Sequence, residues 1–218
     1  MRLALLLFWL AFAAHAAGSD TDARPLAQLR DLATQGNAEA QFKLGLMYDE
    51  GKGGPQNDKD AVRWYRAAAE QGNADAQLKL GLMYENGRGV REDDAQAVRW
   101  YRLAAEQGQA AAQYQLGLMY FHRQGVPQDY KEAARLHQLA AAQGNDMAQA
   151  NLAYLYATGQ GVPQDFVKAY LWWSIAAASG NESAIDSREE TAQRMTPAQI
   201  EEAQALVRAC VAKKFKGC

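Results

Sequence analysis

The stretch "AQFKLGLMYDEG", residues 40–51, is followed by a near copy, "AQLKLGLMYENG", residues 76–87. "AQYQLGLMYFHR" occupies residues 112–123, and a looser version, "AQANLAYLYATG", residues 148–159. The spacing is 36 residues each time. A fixed period of this size marks an array of small units, none able to bury its apolar face alone, that stack into one quasi-one-dimensional body.

Working outward from the phrase, each unit reads as two helices. The first opens after Asn37, Asn73, Gln109 or Asn145, residues that mostly suit an N-cap, and carries apolar or small residues at helical spacing. In the first unit the buried stripe is Gln41, Leu44, Gly45 and Tyr48. The helix ends at a glycine-rich elbow, "GKGGPQN", "GRGVRED", "RQGVPQD" or "GQGVPQD", where glycine takes a left-handed conformation and proline prevents continuation. The second helix has caps at Asn57, Asp93, Asp129 and Asp165. A capping-box partner stands three residues on at Gln96 and Glu132, a shorter one at Asp60, and none at Lys168. In the second helix small residues such as Ala61 and Ala68 flank the bulky Trp64 and Tyr65, an arrangement that fills the gap between units and reads as core. Gly72, Gly108, Gly144 and Gly180 end it, and residues 25–35 read as a lone second helix that begins the stack.

The pattern Ala, Leu-Gly, Tyr, Gly-x-Gly-Val-x-x-Asp, Ala-x-x-Trp, Ala-Ala, Gly at this period resembles the Sel1-like repeat family, relatives of the tetratricopeptide repeats. The resemblance implies an all-α fold: a right-handed α-solenoid of antiparallel helix pairs that presents a concave surface to another protein, as an adaptor or assembly factor. Four repeats are expected at 37–72, 73–108, 109–144 and 145–180, with a degenerate fifth starting before residue 184.

Selectivity belongs on helix faces that differ between units. Opposite the buried stripe, the first unit shows Glu39, Phe42, Leu46, Asp49 and Glu50, and the second Asp75, Leu78, Leu82, Glu85 and Asn86. The third shows Ala111, Tyr114, Leu118, Phe121 and His122, and the fourth Met147, Ala150, Tyr154, Ala157 and Thr158. By similarity to tetratricopeptide arrays this stripe lines the concave groove, acidic at one end and aromatic at the other. The expected ligand is a peptide or protein segment anchored by Tyr114, Phe121 and Tyr154, with the acidic end attracting basic residues. The alternative is that these side chains pack against neighbouring helices. Arg123 replaces the first elbow glycine of the third unit, so this residue either accepts the left-handed conformation at a cost or forces a different turn; it reads as a tolerated variation or as a device that presents His122 and Arg123 as contacts.

At the N-terminus, Arg2 precedes an apolar run over residues 3–14 and then "AHA", which predicts a signal peptide over 1–16 cut after Ala16, and a periplasmic or secreted chain. No stable membrane insertion is expected after cleavage. Without Arg2 the formal charge is 22 − 25 = −3 with no long block of either sign, which argues against nucleic acid as a partner. The segment 17–36 holds the starting helix, and 185–218 holds capping helices, the last with Thr196 as cap, Pro197 in its first turn, and Ile200, Ala203, Leu206, Val207 and Cys210 on one face. Cys210 and Cys218 are the only cysteines; in an oxidising compartment a local disulfide is the simpler reading, and a reactive or intermolecular pair beside Lys213, Lys214 and Lys216 is the other.

Catalysis is not expected. Only His122 and His137 remain after export, and His137 takes a place held elsewhere by Tyr65, Tyr101 or Trp173, as a packing substitute. No His-Glu-x-x-His, Cys-x-x-Cys, Gly-x-Ser-x-Gly or phosphate loop occurs, so no metal or cofactor is expected. Cysteine-rich secreted members of the family are linked to β-lactam binding or hydrolysis, but they carry a cysteine pair in each repeat, absent here. An enzyme acting on cell-wall or β-lactam compounds, and a structural periplasmic factor without a groove ligand, are the alternatives to a scaffold.

Overall fold

The computed structural model describes residues 20–52 and 54–218, with side chains placed from residue 26 onward, so the expected signal peptide lies outside the described residues. Eleven helices and no strand occur among them: α1 (Asp20–Thr34), α2 (Ala38–Glu50), α3 (Asp58–Glu70), α4 (Ala74–Glu85), α5 (Asp94–Glu106), α6 (Ala110–His122), α7 (Tyr130–Ala141), α8 (Asp146–Thr158), α9 (Phe166–Ala178), α10 (Glu182–Ala192) and α11 (Pro197–Ala212). Each helix packs on the next in sequence from α1 to α10, which makes the chain an α-solenoid. The lone starting helix opens at Asp20 rather than at Pro25.

Local chemistry starts every unit. Asn37, Asn73, Gln109 and Asn145 each accept the backbone N–H three residues on, at 2.9, 2.8, 2.8 and 2.8 Å. Asn181 does the same for α10 at 3.2 Å, so the fifth first-type helix runs across the expected boundary at residues 184–185. The second helices are capped by Asn57, Asp93, Asp129 and Asp165. No capping box forms at Gln96 or Glu132. Each of these N-caps gives its own backbone N–H to the repeat tyrosine's carbonyl (Asn57 to Tyr48, Asp93 to Tyr84, Asp129 to Tyr120, Asp165 to Tyr156), so no donor is left for the box. Glu132 turns to Arg135 instead, at 2.6 and 2.8 Å. Among the described residues the reciprocal box closes only at Thr196 and Gln199, ahead of α11.

The repeated Leu-Gly has a steric reason. A Cβ on Gly45 would stand 2.6 Å from the ring of Tyr65, and one on Gly117 would stand 2.7 Å from His137; Gly81 seats Tyr101 in the same way. Tyr65, Tyr101 and His137 are fully buried, whereas Trp64 is half-exposed. The second elbow glycine makes the contact between units: a Cβ on Gly89, Gly125 or Gly161 would strike the backbone at Asp58, Asp94 or Tyr130, the first residue of the preceding second helix. The first elbow position is left-handed in all four units, at φ 69° for Gly51, 63° for Gly87, 62° for Arg123 and 72° for Gly159. Arg123 thus accepts the conformation and keeps the turn, its N–H bonded to the Met119 carbonyl.

A polar ladder runs through the apolar stack. Gln41, Gln77, Gln113 and Gln149 are buried, and each donates its Nε2 to a carbonyl near the end of the preceding second helix: Ala33 at 3.0 Å, Ala69 at 3.1 Å, Ala105 at 3.3 Å and Ala141 at 3.2 Å. Each of these carbonyls lies in the last turn of its helix and also accepts the backbone N–H of the glycine three residues on, Gly36, Gly72, Gly108 or Gly144. The other end of three of these amides accepts from Gln71, Gln107 and Gln143 at 2.7, 2.7 and 2.9 Å. In the last unit Ser179 stands where this donor should be, and Gln149 Oε1 is buried with no partner.

At the C-terminus α11 packs on α9 rather than on α10. Ala203 and Cys210 are buried there and Val207 and Phe215 join the same cluster, but Leu206, expected on this face, is 40% exposed. Its direction is about 60° off that of Ala203, at the edge of a narrow stripe. Cys210 and Cys218 face one another with Cα atoms 5.7 Å apart, a separation that a disulfide spans.

Two experiments follow from these contacts. Arg123→Gly is expected to raise unfolding free energy by about 1 kcal/mol, and Gly125→Ala to lower it by at least about 2 kcal/mol, measured by urea denaturation. Ser179→Gln is expected to add about 1 kcal/mol by completing the ladder, and a destabilised variant in the same assay would show that the space does not admit the amide.

Candidate functional site

The face of the first helices differs sharply between the two halves of the array. In the first half its carboxylates are engaged within the chain. Asp49 accepts the Tyr65 hydroxyl at 3.0 Å and the Arg88 guanidinium at 2.7 Å, with Lys79 at 4.0 Å. Arg88 reaches across from the second elbow and also holds Asp58 at 2.6 Å, which keeps the Asp58 carboxyl below its ordinary range and raises the guanidinium further. Glu85 accepts the Tyr101 hydroxyl. Burial first, and then these neighbouring carboxylates, push both tyrosines far above the usual phenol range, so their hydroxyls remain donors. Glu39 pairs with Lys43 at 3.2 Å, Glu50 with Lys52 at 2.6 Å, and Asp75 accepts the Gln109 amide at 3.2 Å. Phe42 is half-buried, its ring 6.0 Å from that of Tyr65.

In the second half the same positions carry rings. Phe121 replaces the acid, and His137 replaces the tyrosine that would have bonded it. Tyr114 is half-buried with its ring 5.7 Å from His137, and burial raises its phenol. Phe121 meets Tyr130 edge-on at 5.2 Å, Tyr154 at 6.0 Å and His122 at 4.9 Å. Leu118, Phe121, His122, Asn151 and Tyr154 enclose a hollow of about 240 Å³ between α6 and α8. Tyr154, 43% exposed, is also a wall of a second hollow of about 260 Å³, completed by Phe166, Trp173, Glu190 and Arg194 from α9 and the α10 end.

The structure therefore brings Leu118, Phe121, His122 and Tyr154 together, with Tyr114 on the same helix, and leaves Glu39, Phe42, Asp49, Asp75 and Glu85 apart from them. Sequence reading missed Asn151 and the contribution of α9 and α10. The signal for α10 was Asn181, one period after Asn145, which marks a fifth first-type helix. Among the described residues no cluster of three His, Cys, Asp or Glu side chains converges, and no helix is long and apolar enough to cross a membrane.

The Sel1 repeat model matches residues 38–73, 74–109, 110–145 and 146–181, one residue later than the units expected from sequence. The chain belongs to the Sel1 repeat family. It is similar to a Sel1 repeat protein from Oxalobacter formigenes, at 42% identity and a TM-score of 0.68 over 74% of this chain and 47% of that one. It is also similar to c5321, a protective antigen of uropathogenic Escherichia coli strains displaying an SLR fold, at 29% identity and a TM-score of 0.56 over 86% of this chain and 49% of that one. The chain thus spans about half the length of these solved relatives. No curated protein matches it.

His137 gives the site a pH signature. It is fully buried with neither ring nitrogen hydrogen-bonded, and burial, followed by the charge of His122, pushes its pKa down to about 4. The unfolded chain takes up this proton near pH 6.5 and the folded chain only near 4, so stability is full above about 6.5 and falls as pH drops toward 4. The loss is up to about 3 kcal/mol. His137→Phe is expected to flatten this part of the stability profile in urea titrations from pH 4 to pH 7, and an unchanged slope would assign it to other groups.

Proposed function

We propose that this chain is an exported interaction scaffold that holds a peptide or protein segment on the first-helix face, centred on Tyr154. The Sel1 fold is typical of protein–protein interaction scaffolds, which supports this reading. The observation that carries the site is the position of Tyr154: a large, partly exposed ring shared by two adjoining hollows, braced by Phe121. Two hollows on either side of a rigid ring suit two apolar side chains of an extended ligand, and such aromatic anchors dominate binding energy at interfaces. The internally paired Asp49 and Glu85 serve the array, so contact is assigned to Tyr114, Leu118, Phe121, His122 and Tyr154. Exposed Glu39 and Asp75 supply approach charge at most.

Export is part of the proposal, resting on the apolar run at residues 3–14 and the small residues that follow. In an oxidising compartment Cys210 and Cys218 would be joined, which ties Phe215 into the last core cluster. Such a short closed loop stabilises by about 2–3 kcal/mol at most.

The test compares the protein with a Phe121→Ala, Tyr154→Ala variant as bait in envelope extract, with captured proteins quantified and the helical content of both baits checked by circular dichroism. The expected result is at least about a tenfold loss of one captured protein at unchanged helicity. Equal capture by both baits would remove the binding site from this face.

A further inference from the structure

The first elbow departs from a residue shared by the other three at two positions, its cap Asn57, where they have aspartate, and its fourth place. Val90, Val126 and Val162 hold the fourth place of their elbows, and the equivalent residue one period earlier is Gly54. Val90 packs into the cluster shared by α3 and α4, and Val126 into the one shared by α5 and α6. At Gly54 an added Cβ would meet nothing within 4 Å, so no close contact demands glycine. A hollow of about 220 Å³ opens beside it, between α1 and α2, lined by Leu26, Arg30, Leu44, Met47, Tyr48 and Lys52 among others. A second closure is missing at the same place. Arg66 lies 5.9 Å over the Tyr84 ring and donates to its hydroxyl at 2.6 Å, and Arg102 donates to Tyr120 at 3.1 Å. Arg30, one period before Arg66, makes no hydrogen bond to Tyr48 among the described residues.

We propose that this hollow is a socket for one large aliphatic side chain of a protein partner, with an acidic residue beside it paired to Arg30. Size decides the class. Pockets for free organic ligands run to about 300–1,000 Å³, and this one, smaller than that, suits a single Leu, Ile or Met. The second and third units suggest the matching chemistry, because there a valine of the chain itself packs against the apolar core from this place. Charge sets the flank: Lys52 is already paired with Glu50 at 2.6 Å, so the exposed Arg30 guanidinium is the group that favours a carboxylate on the incoming segment. The socket is built from α1, α2 and the first elbow and is independent of the Tyr154 site.

The experiment is a displayed peptide library panned on the folded protein after depletion on Gly54→Val. Gly54→Val places the residue of the other three units in open space, so its Tm is expected to equal or exceed that of the parent. Surviving peptides are expected to share a Leu, Ile or Met next to Asp or Glu. A labelled consensus peptide is expected to lose at least about tenfold in affinity for Gly54→Val and about fivefold for Arg30→Glu, and nothing for Tyr154→Ala. No survivors, survivors without that pair of residues, or a consensus peptide that binds Gly54→Val equally would each overturn the proposal. Concentration-dependent dimerisation of the parent that Gly54→Val abolishes would overturn it too, by making a second copy of the chain the occupant.

Discussion

Each of the first three units depends on one contact, the flat ring of the second helix laid on a bare glycine of the first. Gly45 under Tyr65 and Gly81 under Tyr101 remove the side chain that would otherwise stand in the ring, and this lets two helix axes approach with an aromatic wedge between them. The fourth unit solves the same problem differently, with Ala153 and Trp173 at these places, both buried. The chain returns to form the next unit only because the seated ring fixes where the second helix lies.

What stands beyond the ring then sets the character of the exposed face. A tyrosine seated on the glycine carries its hydroxyl out to the first helix's last turn, where Asp49 or Glu85 accepts it. Where another ring takes the tyrosine's place, the hydroxyl that bonds the acid is lost; the third unit pairs His137 with Phe121 and the fourth pairs Trp173 with Ala157. The change from a polar face to an aromatic one is therefore a change in two coupled positions, one buried and one exposed. The buried histidine beneath Tyr114 fits the seat as a flat ring, at the cost of two unbonded nitrogens.

The glutamine ladder adds a second, directional tie between units. Apolar packing alone tolerates sliding and rotation, whereas an amide that must reach a particular carbonyl and a particular neighbouring amide fixes register. The ladder ends where Ser179 replaces glutamine, the point at which α10 and α11 leave the repeat and α11 folds back on α9. The loss of the ladder and the change in packing coincide at the last unit.

The sequence by itself determined the period, the two helices of each unit, their caps and the role of the tyrosines as core, because these follow from local backbone chemistry and from residues that recur in register. Caps and elbows are short-range: Asn37 or Gly51 acts on atoms a few residues away. It also placed the aromatic end of the exposed face, since Phe121 and Tyr154 differ from their equivalents. Tertiary structure decided what those positions can do. Whether Asp49 is free or held depends on Arg88, 39 residues on in the chain, and whether Tyr154 walls one hollow or two depends on α10. The missing box at Glu132 was beyond sequence reading for the same reason, because a carbonyl of the preceding helix had already taken the donor. A contact between groups far apart in the chain depends on helix tilt and stacking, and those are set by the rings on their glycines.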